Sequence, residues 1–193
     1  MKRTKTGVVA VTGTLRYTDS VPTPDQPVRP AYALAHGVTM PDHSRYMQIA
    51  LDDARVAMHD GNRPVASIIV RDGAILGSGR NTMFTDYDPS AHAEVAALRS
   101  ACSRLRTLDL SGSTLYSTLE PCPMCFWAMQ EANISRLVLG GRYAGIGGFN
   151  LGRYTVESFL EFTGRKLEVI TGVLQEQCEA MRIEWIKAQS RKA

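Results

Sequence analysis

The sequence predicts an α/β protein, a three-layer α/β/α sandwich around a five-stranded mixed sheet. Helical and strand-like periodicities alternate from about residue 44 to the C-terminus. Asp72-Gly73 sits between two short strand-like runs and is a strong hairpin signal, which supplies an antiparallel pair. The runs at 136–139 and 167–171 are separated by a helical stretch, which suits a parallel pair.

Each element has its own signal. Tyr46, Ile49, Ala50, Ala54, Val56 and Ala57 give a helical stripe within 44–60. Val65 to Val70 reads as a buried strand and Ala74 to Ser78 as its hairpin partner. His92 to Leu105 is an alanine-rich helix, entered through Asp88-Pro89-Ser90 with Ser90 as the expected cap. Ser113 to Leu119 is a strand, Pro123 to Ala132 a helix and Arg136 to Leu139 a strand. Thr155 to Phe162 is helical, Leu167 to Thr171 is the last strand, and Gln175 to about Gln189 is the closing helix.

The chain divides near Met40. Residues 1–40 hold four of the nine prolines and no cysteine, and the run Val21 to Pro30 reads as an extended, poorly packed segment. Residues 41–193 are long enough for one domain with a substantial core. Val8 to Val11 is too short for the apolar part of a signal peptide. No apolar run approaches the ~18 residues of a membrane span. Four cysteines, two of them in one motif, make no disulfide framework, and a reducing, cytoplasmic compartment fits. Cys102 and Cys178 lie in helical patterns and read as small buried hydrophobes.

Charge bears on substrate size. Of 22 basic and 19 acidic side chains, residues 1–40 hold five and two, which leaves 17 of each beyond residue 40. A domain that grips RNA phosphates ordinarily carries a basic excess. The C-terminal run Arg182 to Lys192 is the counterargument, against which stands a solvated helix end with cations favourably placed.

His92-Ala93-Glu94, followed by Pro121-Cys122-Pro123-Met124-Cys125, carries the chemistry. One imidazole and two thiolates form a three-ligand set for Zn2+, and a catalytic zinc keeps three protein ligands and leaves a fourth position to water. Zinc lowers the pKa of that water toward about 7. Glu94, off the metal, has the reach and chemistry to move protons. His92 and Glu94 are two apart, so they converge only at a helix beginning. Pro121 and Pro123 suit the start of a second helix, whose N-terminus favours the thiolate forms of Cys122 and Cys125. A lone C-x-x-C also reads as a redox pair or half a zinc ribbon, but no second C-x-x-C exists. A closed structural site would need a fourth ligand, and Cys102, Cys178, His36, His43 and His59 are scattered.

This H-x-E…P-C-x-x-C pattern is the signature of zinc deaminases. From about Ser44 onward the chain resembles the cytidine deaminase-like superfamily, in the branch of guanine deaminases, fungal-type cytosine deaminases and tRNA adenosine deaminases. The run Asn81 to Cys125 carries the resemblance, through Asp88 to Glu94, Thr114 to Glu120 and the cysteine motif. It implies His92, Cys122 and Cys125 as zinc ligands and Glu94 as proton shuttle. It also implies that Asn81 hydrogen-bonds the substrate base, although Asn81 reads equally as a turn residue after a strand. The backbone at Ala66 and Ser67 and the carbonyl near Glu120 match positions lining the pocket. A homodimer is implied as well.

Phe126-Trp127 departs from the small residues of tRNA deaminases and reads as a pocket wall, or as core or dimer contacts. The glycine-rich loop Gly145 to Tyr154 reads as a mobile lid or a tight wrap near the pocket. It lies where guanine deaminases place an acidic residue. It has no carboxylate before Glu157, and Asn150 is its nearest polar residue, which counts against guanine. The expectation is therefore hydrolytic deamination of a small cytosine- or guanine-like base or nucleoside, with release of ammonia. A tRNA adenosine deaminase is the alternative enzyme, and a non-catalytic, zinc-stabilised binding module the alternative of another class.

Overall fold

A computed structural model describes residues 43–147 and 151–191. The extension 1–40 and Asn150 lie outside the described residues. The elements run α1 (His43–His59), β1 (Ala66–Arg71), β2 (Ala74–Arg80), α2 (Ala93–Leu105), β3 (Thr114–Leu119), α3 (Pro123–Glu131), β4 (Arg136–Gly141), α4 (Tyr143–Ile146), α5 (Val156–Thr163), β5 (Glu168–Ile170) and α6 (Gln175–Ser190). The single turn α4 was not expected from the sequence. No described helix is long and apolar enough to cross a membrane.

The sheet has the order β2-β1-β3-β4-β5. β1 pairs antiparallel with both β2 and β3, whereas β3–β4 and β4–β5 are parallel. The β1–β2 turn places Asp72 at φ 51° and Gly73 at φ 76°, both left-handed as a two-residue primed turn requires. Strand periodicity sorts the side chains into two cores. Ile69, Leu115, Leu137 and Leu139 pack toward α2, α3 and α5. Ile68, Val70, Tyr116 and Val138 pack toward α1 and α6. The α/β/α sandwich follows from that division, with the fully buried β3 at its centre.

One packing contact sets the position of the site. α2 lies directly on β2 because β2 offers glycines where a side chain would intrude. A Cβ on Gly77 would stand 2.6 Å from the Ala101 nitrogen, and one on Gly79 would meet the Ala93 carbonyl and the Ala97 nitrogen. The N-terminus of α2 is thereby seated over the edge of the sheet, beside the C-terminal end of β3.

Candidate active site

Two helix beginnings bring the ligand set together. His92 is the N-cap of α2, with extended backbone at φ −84°, ψ 149° and no capping bond of its own. Its ring is therefore free of the helix end, and Glu94 lies in the first turn. The expected cap Ser90 does not serve there. Its backbone N–H and its hydroxyl both donate to Asp88 Oδ1 at 2.7 Å, closing an Asx-type turn that leads the chain into His92. Cys122 is the N-cap of α3, at φ −72°, ψ 168°, and Pro123 occupies the first helical position, where a missing N–H costs nothing. Cys125 follows in the first turn of α3 and is fully buried.

His92 Nδ1 stands 3.5 Å from Cys122 Sγ and 3.4 Å from Cys125 Sγ, and the two sulfurs are 3.6 Å apart. Zinc bonds of about 2.0–2.3 Å in tetrahedral geometry place ligand atoms roughly 3.5–3.8 Å apart. The triangle therefore fits such an ion, and the mixed N/S donor set suits zinc. Among the described residues, no other histidine, cysteine or carboxylate joins this group. The group thus offers three ligand atoms, the number that would leave a fourth position open on a catalytic zinc.

The protonation of the triad is coupled. The Cys122 thiol is drawn down to about 4 by the hydrogen bond with Cys125, with that to His92 adding to it. The same bond, reinforced by burial, drives the Cys125 thiol far up. His92 is raised by its bond to Cys122. Both sulfurs would bind a dication as thiolates, with release of their protons.

Glu94 is 3% exposed. Burial, with the Cys122 charge beside it, raises its carboxyl to about 7. Its Oε1 accepts from the Ser117 hydroxyl at 3.3 Å, and the Ser67 hydroxyl donates to Ser117 Oγ at 3.1 Å. Sequence reasoning singled out Ser67 for its backbone only and missed Ser117. The available signal was a Ser-Thr pair inside the apolar run of β3. Its second member, Thr118, ties both backbone groups of Ala66, accepting from its N–H at 3.1 Å and donating to its carbonyl at 3.3 Å.

The remaining expected residues divide. Asn81, 3% exposed, follows β2. Its N–H donates to the Val65 carbonyl at 2.9 Å and its Oδ1 accepts from the Met83 N–H at 3.3 Å, the contacts of a turn residue. The Glu120 side chain is buried and turned away into a strut. Arg142 Nε and Nη2, Tyr143 N–H and Val156 N–H all donate to it, at 2.9–3.2 Å. Phe126 is core, edge-on to Phe159 at 5.3 Å. Trp127 is on the surface with the Arg165 guanidinium 5.0 Å over its ring.

Tyr143 and Tyr154, neither anticipated, approach the site. Burial raises both phenols, and the charges of Glu94, Cys122 and Cys125 act on each. The Tyr154 hydroxyl donates to the Pro121 carbonyl at 2.6 Å, bracing the backbone immediately before Cys122. The C-terminal helix also differs from a wholly solvated end. Arg182 is buried, with its guanidinium 4.4 Å over the Trp185 ring, and burial lowers its pKa to about 10. Trp185 stacks on the half-exposed Phe84 at 6.0 Å, and Arg63 lies 5.8 Å over Phe84. Arg63 Nη1 donates to Met83 Sδ at 3.4 Å and the Met83 N–H donates to Asn81 Oδ1, which places this cationic and aromatic group beside the segment that follows β2.

Known proteins resemble this chain in sequence and fold. The family model for the cytidine and deoxycytidylate deaminase zinc-binding region matches residues 40–141. The tRNA-specific adenosine deaminase of Buchnera aphidicola is 34% identical over 158 residues, 80% of this chain and 94% of that protein. The guanine deaminase of Bacillus subtilis is 40% identical over 96 residues, 47% of this chain and 62% of that protein. The solved guanine deaminase of Nitrosomonas europaea superposes with a TM-score of 0.69 at 27% identity, covering 81% of this chain and 88% of that one. With the signature, the fold and the metal-ready triad in agreement, the chain belongs to the cytidine and deoxycytidylate deaminase family of zinc-dependent hydrolases.

Proposed function

We propose that the chain deaminates a small aminated nucleobase, free or as its nucleoside, at a zinc ion held by His92, Cys122 and Cys125. The observation that carries this reading is the 3.4–3.6 Å triangle of side-chain atoms with the buried Glu94 carboxylate in the first turn of the helix that His92 caps. Zinc supplies Lewis acidity and an acidified water. Glu94 would carry both protons that the water gives up, one to the ring nitrogen and the second to the amine, which departs as ammonia as the carbonyl forms. Asn81 and the backbone at Ala66, Ser67 and Glu120 line the base pocket in this reading. The chain acts as a homodimer in the cytoplasm. A small substrate is favoured over RNA because the 17-to-17 charge balance beyond residue 40 gives no general phosphate grip, and cytosine-like bases lead over guanine-like purines because the loop Gly145 to Tyr154 has no carboxylate.

A tRNA substrate is the second reading. The similarity to the Buchnera tRNA adenosine deaminase runs through most of both chains. Arg63, Phe84, Arg182 and Trp185 also bring cations and stacking faces to the segment that follows β2. The two readings separate on kcat/KM for cytosine, guanine, adenine and their nucleosides against a tRNA anticodon stem-loop, measured at two salt concentrations. Turnover of a free base with little salt dependence supports the first. Turnover of the stem-loop alone, falling steeply with salt, supports the second.

A further inference from the structure

We propose that Ser117, backed by Ser67, is a positioning residue for the proton shuttle Glu94. The inference rests on the deaminase reading above. β1 and β3 pair with Ser67 directly opposite Ser117, and both hydroxyls are wholly buried. A hydroxyl in a dry sheet interior is costly unless it is hydrogen-bonded. The donors run in one direction here, from Ser67 Oγ to Ser117 Oγ at 3.1 Å and from Ser117 Oγ to Glu94 Oε1 at 3.3 Å.

The sheet gives this chain of hydroxyls its rigidity. β3 is buried along its whole length and lies between β1 and β4. Glu94, by contrast, stands in the first turn of a helix, where a long side chain has several rotamers. Polarisation along successive hydroxyls strengthens the terminal bond. Holding Oε1 fixes the plane of the carboxylate and leaves Oε2 to move protons. A catalytic group has to stay close to its productive geometry, and its supporting residues provide that.

The test compares Ser117→Ala, Ser117→Thr and Ser67→Ala with the parent, all zinc-loaded, on a substrate the parent turns over. Ser117→Ala is expected to lower kcat roughly 10- to 100-fold with KM and zinc content unchanged. Ser117→Thr, which keeps the hydroxyl and suits a strand, is expected to recover most of the rate, and Ser67→Ala to show a smaller loss in the same direction. A purely structural role would move melting temperature but not this split. The second readout needs no turnover. The carboxyl 13C resonance of Glu94, assigned by its disappearance in Glu94→Gln, shifts in Ser117→Ala and returns toward the parent position in Ser117→Thr. An unshifted resonance in folded Ser117→Ala overturns the proposal even if no substrate has been found, and so does an undiminished kcat. If Ser117→Ala does not fold, the same resonance in Ser67→Ala decides. A shift with no turnover of any base, nucleoside or tRNA stem-loop by the parent keeps the positioning role and sinks the deaminase reading instead.

Discussion

The Glu120 carboxylate receives both Nε and Nη2 of Arg142, each at 3.1 Å, two residues before the first cysteine of the metal triad. Arg142 also donates to Glu157 through Nη1 at 2.8 Å and Nη2 at 2.6 Å, so one guanidinium joins the end of β3 to the first turn of α5. Glu120 further accepts the N–H groups of Tyr143 and Val156. Glu120→Ala removes the acceptor of the Tyr143 and Val156 N–H groups, while Arg142 keeps Glu157. A loss of about 1–3 kcal/mol is expected, the cost of a buried donor left without its acceptor. Denaturant unfolding of the zinc-loaded variant measures it, and a loss below about 1 kcal/mol would show the strut to be incidental.

Gly79 tests the link between sheet packing and metal binding. A methyl group there meets the backbone of α2 at Ala93 and Ala97 rather than a yielding side chain. Gly79→Ala is expected to cost about 1–3 kcal/mol. It also weakens zinc binding, because α2 carries His92 at its start. Competition with a chromophoric chelator measures the affinity. Unchanged affinity alongside lost stability would mean that the helix tilts about its beginning instead of shifting.

Acid stability has a contribution from Arg142–Glu157. The Arg142 hydrogen bonds hold the Glu157 carboxyl at about 2, below its ordinary 4.5. A depressed carboxyl stabilises the fold above its unfolded pKa and loses that contribution as pH falls through the folded value. The melting-temperature difference between wild type and Glu157→Gln should therefore be full above pH 4.5 and shrink toward pH 2. It should be small, since the Glu157 side chain is about half exposed. A difference constant across that range would place the stabilisation elsewhere.

Much of this was legible in the sequence because local signals carried it. The strand and helix periods gave the alternation, Asp72-Gly73 the hairpin, and the intervening helix the parallel pairing of β4 with β5. The clustering of His92, Cys122 and Cys125 was legible because all three sit where helices begin. Ser90 misled, since a Ser before a helix is an ordinary cap signal and only the structure shows Asp88 capturing it. Phe126 and Trp127 could not be told apart by type, and helix phase put one in the core and the other on the surface. Ser117 left only the polar pair in β3 as a trace, and Tyr154 and Arg142 left none, because their roles arise from contacts 23, 33 and 22 residues away in the chain.

Ammonia release by the zinc-loaded protein, run beside Glu94→Ala on cytosine, guanine, adenine, their nucleosides and a tRNA anticodon stem-loop, tests the central claim. The predicted result is release from one substrate class, reduced about 10²–10⁴-fold in Glu94→Ala at unchanged zinc content. Equal release by the variant would contradict Glu94 as the proton shuttle, and silence across the panel with zinc bound would point to a zinc-stabilised module without turnover.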